Sequence, residues 1–356
     1  MNLEELGWDA GFAEAYQALG DPALVPARVV CTQGPISRLA DGESEREAVV
    51  TGKLRRGAAG AVELPVVGDW VAFRPGERPG ELGAMEVVLP RKTLFSRRAA
   101  GDATAAQALA ANIDAVFLVM GLDGDFNPRR LERYLALTHA SGAEPVILLS
   151  KADLCEDVEE CREEILVSAP SVPIITASLL EGVPPELRAF LGVGRTAALL
   201  GSSGAGKSTL LNALIGTNKQ KTRAVRANDN RGRHTTSHRE LFAIPEGGMV
   251  IDSPGLREVQ LWEAREGLGA AFDDLEDLAR ACRYRDCVHD GEPGCAVVAA
   301  VERGVLDEER LESWQKLRLE LLATAADEDV LARQKQKSGE RMVTKLLRKR
   351  VKEKNE

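Results

Sequence analysis

The sequence lacks any apolar run that approaches the ~20 residues needed to cross a lipid bilayer. Its first 24 residues carry five acidic side chains and no lysine or arginine, so the basic and apolar regions of a secretion signal are also missing. These absences argue against a membrane-spanning or exported protein. We therefore expect a soluble cytoplasmic protein that has no membrane partner.

Aromatic residues are scarce, at 4% of the chain, whereas hydrophobic residues reach 44%. The buried cores must therefore be mainly aliphatic. We find no internal repeats and no low-complexity tract. At roughly 150 residues per domain, the 356 residues predict two to three domains.

Cysteine is also sparse, with six residues in the chain. Cys31, Cys155 and Cys161 have no neighbouring residues typical of a metal site, so we interpret them as ordinary reduced thiols. Few disulfides would form in a reducing cytosol. The other three cysteines lie close together near the C-terminus and are considered below.

The net charge of −9 argues against bulk nucleic-acid binding, but the charge is unevenly distributed. Residues 333–356 carry ten lysines or arginines against three glutamates. A basic tail on an acidic body can hold phosphate locally. A solvated helix end explains the same charge pattern equally well.

Two patterns of strands predict two kinds of domain. Residues 25–90 contain short strands separated by turns (Pro26–Cys31, Glu47–Leu54 and Val66–Phe73), which are typical of a small β-barrel. From about residue 112, continuous apolar runs alternate with helical segments and predict a doubly wound α/β domain over roughly 112–260. The runs are Ala115–Met120, Val146–Leu149, Val172–Ile175, Thr196–Leu200 and Met249–Ile251.

A phosphate-binding loop is indicated by Gly201-Ser202-Ser203-Gly204-Ala205-Gly206-Lys207-Ser208, which fits G-x-x-x-x-G-K-[ST]. It follows an apolar strand and opens a helix that starts with Ser208 and Thr209, as this motif requires. The backbone N–H groups and the helix N-terminus can face phosphate. Lys207 can reach the β- and γ-phosphates and Ser208 can ligate Mg²⁺.

Two further motifs favour GTP over ATP. Asp252-Ser253-Pro254-Gly255 matches the D-x-P-G of GTPases, in which the aspartate lies near Mg²⁺ and the glycine N–H meets the γ-phosphate. Ser150-Lys151-Ala152-Asp153 resembles the [NT]-K-x-D guanine motif. The Asp153 carboxylate can accept from guanine N1–H and N2–H₂ together, which adenine cannot offer. Ser150 stands where asparagine is usual, and its shorter hydroxyl is expected to support the loop less well.

The order of these motifs is reversed relative to ordinary GTPases, because the base-recognition motif precedes the phosphate loop. The chain is therefore predicted to be circularly permuted. Between Lys207 and Asp252 lies a polar segment in which Thr236 is our choice for the residue that ligates Mg²⁺, with Thr235 as the alternative. Leu256 cannot orient water, so intrinsic hydrolysis should be slow. His234 is the nearest candidate for positioning the attacking water, although a lone histidine is more often structural.

A cluster of three cysteines and one histidine lies within fourteen residues: Cys282, Cys287, His289 and Cys295. Three thiols and one imidazole form a closed tetrahedral ligand set, which is typical of one structural zinc ion. Gly291, Pro293 and Gly294 supply a turn before the last cysteine. Scattered buried cysteines are the alternative interpretation.

Together these motifs resemble the ribosome small subunit-dependent GTPase A family of bacteria. The segments Asn112-Ile113-Asp114 and Gly232-Arg233-His234-Thr235-Thr236 are similar to signatures of that family. The resemblance implies a multidomain fold with an N-terminal OB-type β-barrel, a circularly permuted α/β P-loop GTPase and a C-terminal α-helical zinc-binding domain. It implies an extension over 1–24, the barrel over 25–98, the GTPase over 99–265, and the zinc domain with its basic tail over 266–356.

The function that the resemblance implies is GTP hydrolysis in late maturation of the small ribosomal subunit, stimulated by that subunit, with rRNA as a further partner. We expect a monomer in which His234, Lys207 and Thr236 are catalytic. The residues expected to contact GTP or GDP and its Mg²⁺ are Ser150, Lys151, Ala152, Asp153, Gly201, Ser202, Ser203, Gly204, Ala205, Gly206, Lys207, Ser208, Thr209, Asp252 and Gly255. An ATP-dependent P-loop enzyme and a non-enzymatic RNA-binding scaffold are the alternatives.

Overall fold

The computed structural model describes residues 1–78, 80–99, 102–216, 239–252 and 265–322. Within these ranges the chain forms a β-barrel, an α/β sheet and a set of C-terminal helices. No helix of this described part is long and apolar enough to cross a membrane. An N-terminal helix, α1 (Ala10–Gln17), precedes the barrel and begins where the Asp9 carboxylate accepts from the N–H of Gly11.

Five strands close the barrel in the order β1-β2-β3-β5-β4, with β4 returning to β1. Only the β3–β5 pair is parallel within it. This arrangement is an OB-type barrel, as predicted. The strands are β1 (Val25–Gln33), β2 (Ile36–Ala40), β3 (Glu45–Val50), β4 (Trp70–Arg74) and β5 (Gly83–Val88).

One barrel strand ends earlier than the sequence predicts. The strand expected to continue to Leu54 stops at Val50, and helix α2 (Gly52–Gly57) follows. The Thr51 hydroxyl accepts from the N–H of Leu54 at 3.1 Å and caps this helix. A favourable N-cap therefore outweighs the apolar pattern here.

The α/β sheet has the strand order β10-β9-β8-β11-β13-β12 and is parallel except for β12. Each of the five apolar runs contributes to a strand of this sheet, although the strand expected from Val172 begins only at Ile174, and the predicted doubly wound domain is confirmed. Its strands are β8 (Ala115–Gly121), β9 (Glu144–Ser150), β10 (Ile174–Ala177), β11 (Thr196–Leu200), β12 (Arg239–Ala243) and β13 (Met249–Asp252). Its helices are α3 (Pro128–Ser141), α4 (Val158–Ser168), α5 (Pro185–Arg188) and α6 (Lys207–Ile215).

The barrel and the α/β sheet are joined in two places. A hairpin of β6 (Leu94–Ala99) and β7 (Asp102–Ala111) crosses the predicted boundary between residues 98 and 99. In addition, β12 pairs with β1, so that hydrogen bonding continues from one domain into the other. The two domains therefore share a continuous backbone framework.

Arg28 on β1 lies at the junction of these parts and is 2% exposed. Its guanidinium donates to the backbone carbonyls of Leu6, Gly68 and Asn112. Burial lowers the pKa of Arg28 to about 10, against the opposing effect of Asp114. The group remains charged near neutral pH and ties the N-terminal segment to the barrel and to the α/β domain.

The C-terminal region consists of α7 (Arg265–Ala271), α8 (Asp273–Arg280), α9 (Ala296–Glu302) and a helical stretch over residues 308–322. A buried polar network fastens it to α3. Arg310 donates to the Glu132 carboxylate at 3.1 Å and makes two bonds of 2.7 and 2.9 Å to Asp274. Arg129 and Ser313 also donate to Glu132, whose side chain has no exposed surface.

Replacement of Arg310 by methionine is expected to lower the free energy of unfolding by about 3–5 kcal/mol, since Glu132 would keep a buried charge without its main partner. Urea unfolding followed by tryptophan fluorescence measures this. Arg280→Met is the control: its pair with Asp277 is exposed, so about 0–1 kcal/mol is expected. A double change to Glu132→Leu and Arg310→Met should recover part of the loss; no recovery would contradict the charge explanation.

Candidate nucleotide site and metal centre

The predicted nucleotide motifs meet at the carboxyl edge of the parallel strands. Ser150 ends β9 and lies in register with Gly121 of β8 on one side and Ala177 of β10 on the other. The phosphate loop leaves β11 at this edge, and Asp252 ends β13 beside it. Ligands of open α/β sheets bind at this edge, so the fold brings the separate motifs to one site.

The phosphate loop has the backbone geometry that the motif requires. Gly206 has φ +98° and caps the start of α6. A side chain at Gly201 would lie 2.2 Å from the carbonyl of Val119, so only glycine fits there. Lys207, 6% exposed, donates through Nζ to the carbonyls of Gly201 and Ser202. The loop thus folds around its own lysine, with Ser203 and Gly204 exposed at the tip.

Ser150 joins the base-recognition loop to the phosphate loop. Its buried hydroxyl donates to the carbonyl of Ala205 at 2.6 Å, with the carbonyl of Met120 at 3.3 Å. A side chain at Gly206 would lie 3.4 Å from the same oxygen, so the two loops are in close contact. The shorter residue therefore still makes a direct link between the two motifs.

Replacing Ser150 by alanine is expected to weaken GDP binding about five- to tenfold, because one buried hydrogen bond between the loops is lost. Titration of a fluorescent GDP analogue measures the change. Ser171→Ala is the control, since Ser171 is exposed and lies outside the site. Unchanged GDP affinity in Ser150→Ala would show that the link between the loops does not support binding.

An acidic loop after β8, which sequence reasoning missed, holds both motifs. The Asp123 carboxylate accepts from Nζ of Lys151, and this bond is the main cause of the lowered pKa of Asp123. The Asp125 carboxylate accepts from the Ser202 hydroxyl and, at 2.8 Å, from Arg130. The pairs span 28 residues or more between the loops, so no local pattern could have revealed them.

The remaining predicted nucleotide residues differ in how they are placed. Asp153 is exposed within a 3₁₀ turn (Ala152–Leu154) that follows Lys151, whose φ is +59°. Its carboxylate is therefore accessible to the base of a nucleotide. Ser208 and Thr209 open α6 beneath the phosphate loop. Four predicted residues lie outside the described part of the chain: His234, Thr235, Thr236 and Gly255.

The predicted metal ligands come together in the C-terminal region. One ligand atom from each of Cys282, Cys287, His289 and Cys295 lies within 4.8 Å of the others. The Sγ atoms of Cys282 and Cys295 are 3.9 Å apart, and they lie 3.6 and 3.5 Å from Nδ1 of His289. Cys282 is half-buried and the other three residues are buried. The arrangement can hold one metal ion.

Neighbouring groups favour metal binding by these ligands. The N–H groups of Ala296 and Val298 point at the sulfurs of Cys282 and Cys295, at 3.3 and 3.4 Å, and stabilise thiolates. Burial, reinforced by the charge of Arg318, lowers the pKa of His289. The imidazole is thus kept neutral, which is the form that ligates metals.

Comparison with known proteins agrees with this geometry. The RsgA GTPase family model matches residues 88–262. The curated "Small ribosomal subunit biogenesis GTPase RsgA" of Opitutus terrae is 47% identical over 343 residues, covering 94% of each chain. The chain belongs to the RsgA GTPase family. Proteins of the same name from Syntrophotalea carbinolica and Xanthomonas axonopodis pv. citri are 41% and 46% identical, over 95% and 90% of this chain and 94% and 86% of their own.

Two solved structures have a similar fold. YjeQ from Thermotoga maritima superposes with a TM-score of 0.62 and 27% identity, covering 84% of this chain and 99% of that one. YloQ, described as a circularly permuted GTPase, gives a TM-score of 0.58 at 22% identity over 84% and 96% of the two chains. The predicted fold is thereby confirmed: an OB-type barrel, a circularly permuted GTPase domain and a C-terminal region whose cluster could bind a metal.

Proposed function

We propose that this RsgA-family chain is a GTP hydrolase that binds the small ribosomal subunit and its rRNA and acts late in maturation of that subunit. The observation that supports this most directly is the link from Ser150 to Ala205, which places a guanine-type motif against a phosphate loop. The relatives named above are small ribosomal subunit biogenesis GTPases, which supports the ribosomal part of the proposal.

The proposed chemistry is transfer of the γ-phosphoryl group of GTP to water. Lys207 would leave its two loop carbonyls and reach the β- and γ-phosphates, while the N–H groups at the start of α6 face the same charge. Mg²⁺, when bound with GTP, would neutralise phosphate charge, and the ligands proposed for it are Ser208, Asp252 and Thr236. His234 would orient the attacking water, and the Gly255 N–H would stabilise the γ-phosphate.

The guanine base would be held by Asp153, which accepts two hydrogen bonds from its edge. Lys151 would pack its stem over the purine. Because Asp123 accepts from Lys151 and Asp125 from Ser202, the acidic loop would hold the base loop and the phosphate loop in a fixed relation. GTP and GDP are thus the proposed nucleotide ligands.

The metal proposed for the C-terminal cluster is one structural zinc ion per chain. Tetrahedral zinc with Zn–S bonds of about 2.3 Å and Zn–N bonds of about 2.0–2.1 Å separates two sulfurs by about 3.8 Å, and a sulfur from a nitrogen by about 3.6 Å. The separations of 3.9, 3.6 and 3.5 Å agree with these values. Four protein ligands leave no open position, so the role is structural.

The domain bounds remain a proposal, and the β6–β7 hairpin crosses one of them. The proposed parts are an extension over residues 1–24, the OB barrel over 25–98, the GTPase domain over 99–265, and the zinc domain over 266–356, with a basic tail that would contact rRNA phosphate. We propose that the protein is a cytoplasmic monomer and that binding to the small subunit stimulates hydrolysis. No membrane partner is part of this proposal.

The deciding experiment measures phosphate release from GTP and from ATP, with and without purified small ribosomal subunits. We expect slow release from GTP alone, a marked increase with subunits, and none from ATP. Release from ATP at a similar rate would support an ATP-dependent enzyme instead. No release from either nucleotide, even with subunits present, would support a non-enzymatic RNA-binding scaffold.

A further inference from the structure

Two cysteines lie in contact directly behind the base-recognition loop. The Sγ atoms of Cys155 and Cys161 are 4.0 Å apart, and both side chains are half-buried. Cys155 immediately follows the 3₁₀ turn Ala152–Leu154, and Cys161 lies near the start of α4. The pair therefore connects the loop that bears Asp153 to the helix that follows it.

A metal site does not account for this pair. Among the residues that the structure describes, only the C-terminal cluster brings three or more ligand residues together. A closed zinc site needs four ligands, and Cys155 and Cys161 supply two. The chemistry open to two thiols in contact is formation of a bond between them.

We propose that Cys155 and Cys161 are a reversible disulfide site, oxidised by a hydroperoxide, and that the disulfide weakens guanine-nucleotide binding. The coupling to nucleotide rests on the proposed guanine site, whereas formation of the bond does not. The contact between their sulfurs makes the pair suitable for this chemistry.

The chemistry balances in two steps. One of the two sulfurs, as a thiolate, attacks the O–O bond of the hydroperoxide, which breaks; this sulfur becomes a sulfenic acid and the peroxide leaves as an alcohol, or as water from hydrogen peroxide. The other sulfur then attacks the sulfenic sulfur. An S–S bond forms, the S–O bond breaks, and the hydroxide leaves as water with the proton from the second thiol. Both sulfurs are oxidised and one peroxide is reduced.

Burial, the neighbouring Cys155 and the acidic side chains Glu164 and Glu160 raise the pKa of Cys161 to about 11. A thiol held protonated is a poor nucleophile toward peroxide. The proposal therefore depends on the contact between the two sulfurs and not on an activated Cys161 thiolate.

We expect part of the movement needed for bond formation to fall on the base-recognition loop, because Cys155 follows it directly. The sulfurs have to approach from 4.0 Å to about 2.0 Å. On the loop side, hydrogen bonds from Leu154 to Lys151 (3.0 Å) and from Cys155 to Ala152 (3.3 Å) make the turn tight. Asp153 lies within this turn, so its carboxylate would be displaced. A binding group must lie within about 0.5 Å of its proper position to recognise its ligand, so displacement of the carboxylate should weaken guanine-nucleotide binding.

Formation of the disulfide can be read from one tryptic peptide. Cleavage after Lys151 and Arg162 releases residues 152–162, which contain both cysteines and no internal lysine or arginine. The full-length protein is treated with hydrogen peroxide, blocked with N-ethylmaleimide and digested. We expect this peptide to be lighter by two hydrogen atoms and unlabelled, and to accept two labels after reduction. A peptide that still takes two labels after peroxide treatment would overturn the proposal.

The effect on nucleotide is measured by titrating a fluorescent GDP analogue into reduced and oxidised protein. We expect oxidised wild type to bind roughly tenfold more weakly or worse, as for loss of a hydrogen bond to a charged group, and reduction to restore binding. Cys161→Ser and the double Cys155→Ser/Cys161→Ser variant should bind equally before and after peroxide. Loss of affinity in the double variant would assign the effect to other cysteines and overturn the coupling.

The two measurements distinguish failure of the proposed function from failure of the disulfide proposal. If reduced wild type binds no guanine nucleotide, the proposed function is wrong, while the peptide mass still decides whether the disulfide forms. If the disulfide forms and GDP affinity is unchanged, the guanine site stands and the proposed coupling is overturned.

Discussion

Replacing Asp153 by asparagine is expected to lower GTP affinity by about 100-fold or more and to create binding of xanthosine triphosphate. The carboxylate is proposed to accept two hydrogen bonds from guanine, and each bond to a charged group contributes about 1.5–3 kcal/mol. Asparagine offers one donor and one acceptor, which suits xanthine. Asp153 is exposed, so the change should leave the stability of the fold within about 0.5 kcal/mol.

Competition titrations with GTP, xanthosine triphosphate and ATP measure this change in base preference. Glu156→Gln is the matched control, because it removes one exposed acidic charge three residues away and should not alter base preference. If Asp153→Asn kept its preference for GTP, Asp153 would not be the residue that reads the base. An equal loss of affinity for all three nucleotides would point to a disturbed loop.

Local sequence signals are sufficient to explain the elements that depend on local chemistry. Helix α3 begins after Asn127, whose side chain accepts from the N–H of Arg130, and ends before Gly142, whose φ is +83°. Cap, proline and glycine each act within one helical turn, so their pattern is sufficient. The metal cluster is equally local, because its four ligands lie within fourteen residues and the left-handed glycines Gly291 and Gly294 turn the chain between them.

The structural features that could not be predicted depend on contacts between residues far apart in the sequence. Arg28 binds the carbonyl of Asn112, and Arg310 binds Glu132, across 84 and 178 residues. In the sequence, buried arginines look like any surface cation, since burial is decided by the packing of separate elements. The pairing of β12 with β1 is hidden for the same reason. Only two residues of each strand are paired, so the pairing cannot be recognised in the sequence of either strand.

The nucleotide site combines both cases. Its motifs could be found because each is a short segment with a fixed chemical role. The contacts that hold them together could not, because Asp123 and Asp125 belong to a loop with no motif of its own. The Ser150 hydroxyl illustrates the limit: residue type alone suggested weak support, whereas its position allows a 2.6 Å bond to Ala205.

Removal of the proposed zinc ion is expected to unfold the segment that joins α8 to α9 and to loosen the helical stretch over residues 308–322. Structural zinc contributes an apparent ~10–16 kcal/mol to small sites of this kind. Cys295 also caps α9, since its sulfur accepts from the N–H of Val298, and Gln315 donates to the carbonyl of His289 at 2.9 Å. The metal ligands and the helix packing thus depend on one another.

Trp314 provides an internal probe of this change, because it is 1% exposed and its ring lies 5.2 Å from that of His289. Chelation should shift its fluorescence and release one zinc ion per chain. It should also make the backbone cleavable by trypsin after Arg283 and Arg285, whose side chains are already exposed in the folded protein. Cys287→Ser should behave like the chelated protein, and Cys31→Ser, a barrel cysteine, like the untreated one. No predicted nucleotide ligand belongs to the metal cluster, so GDP affinity should change less than about twofold. An unchanged tryptophan spectrum and unchanged protease resistance after complete metal removal would show that the cluster does not stabilise this region.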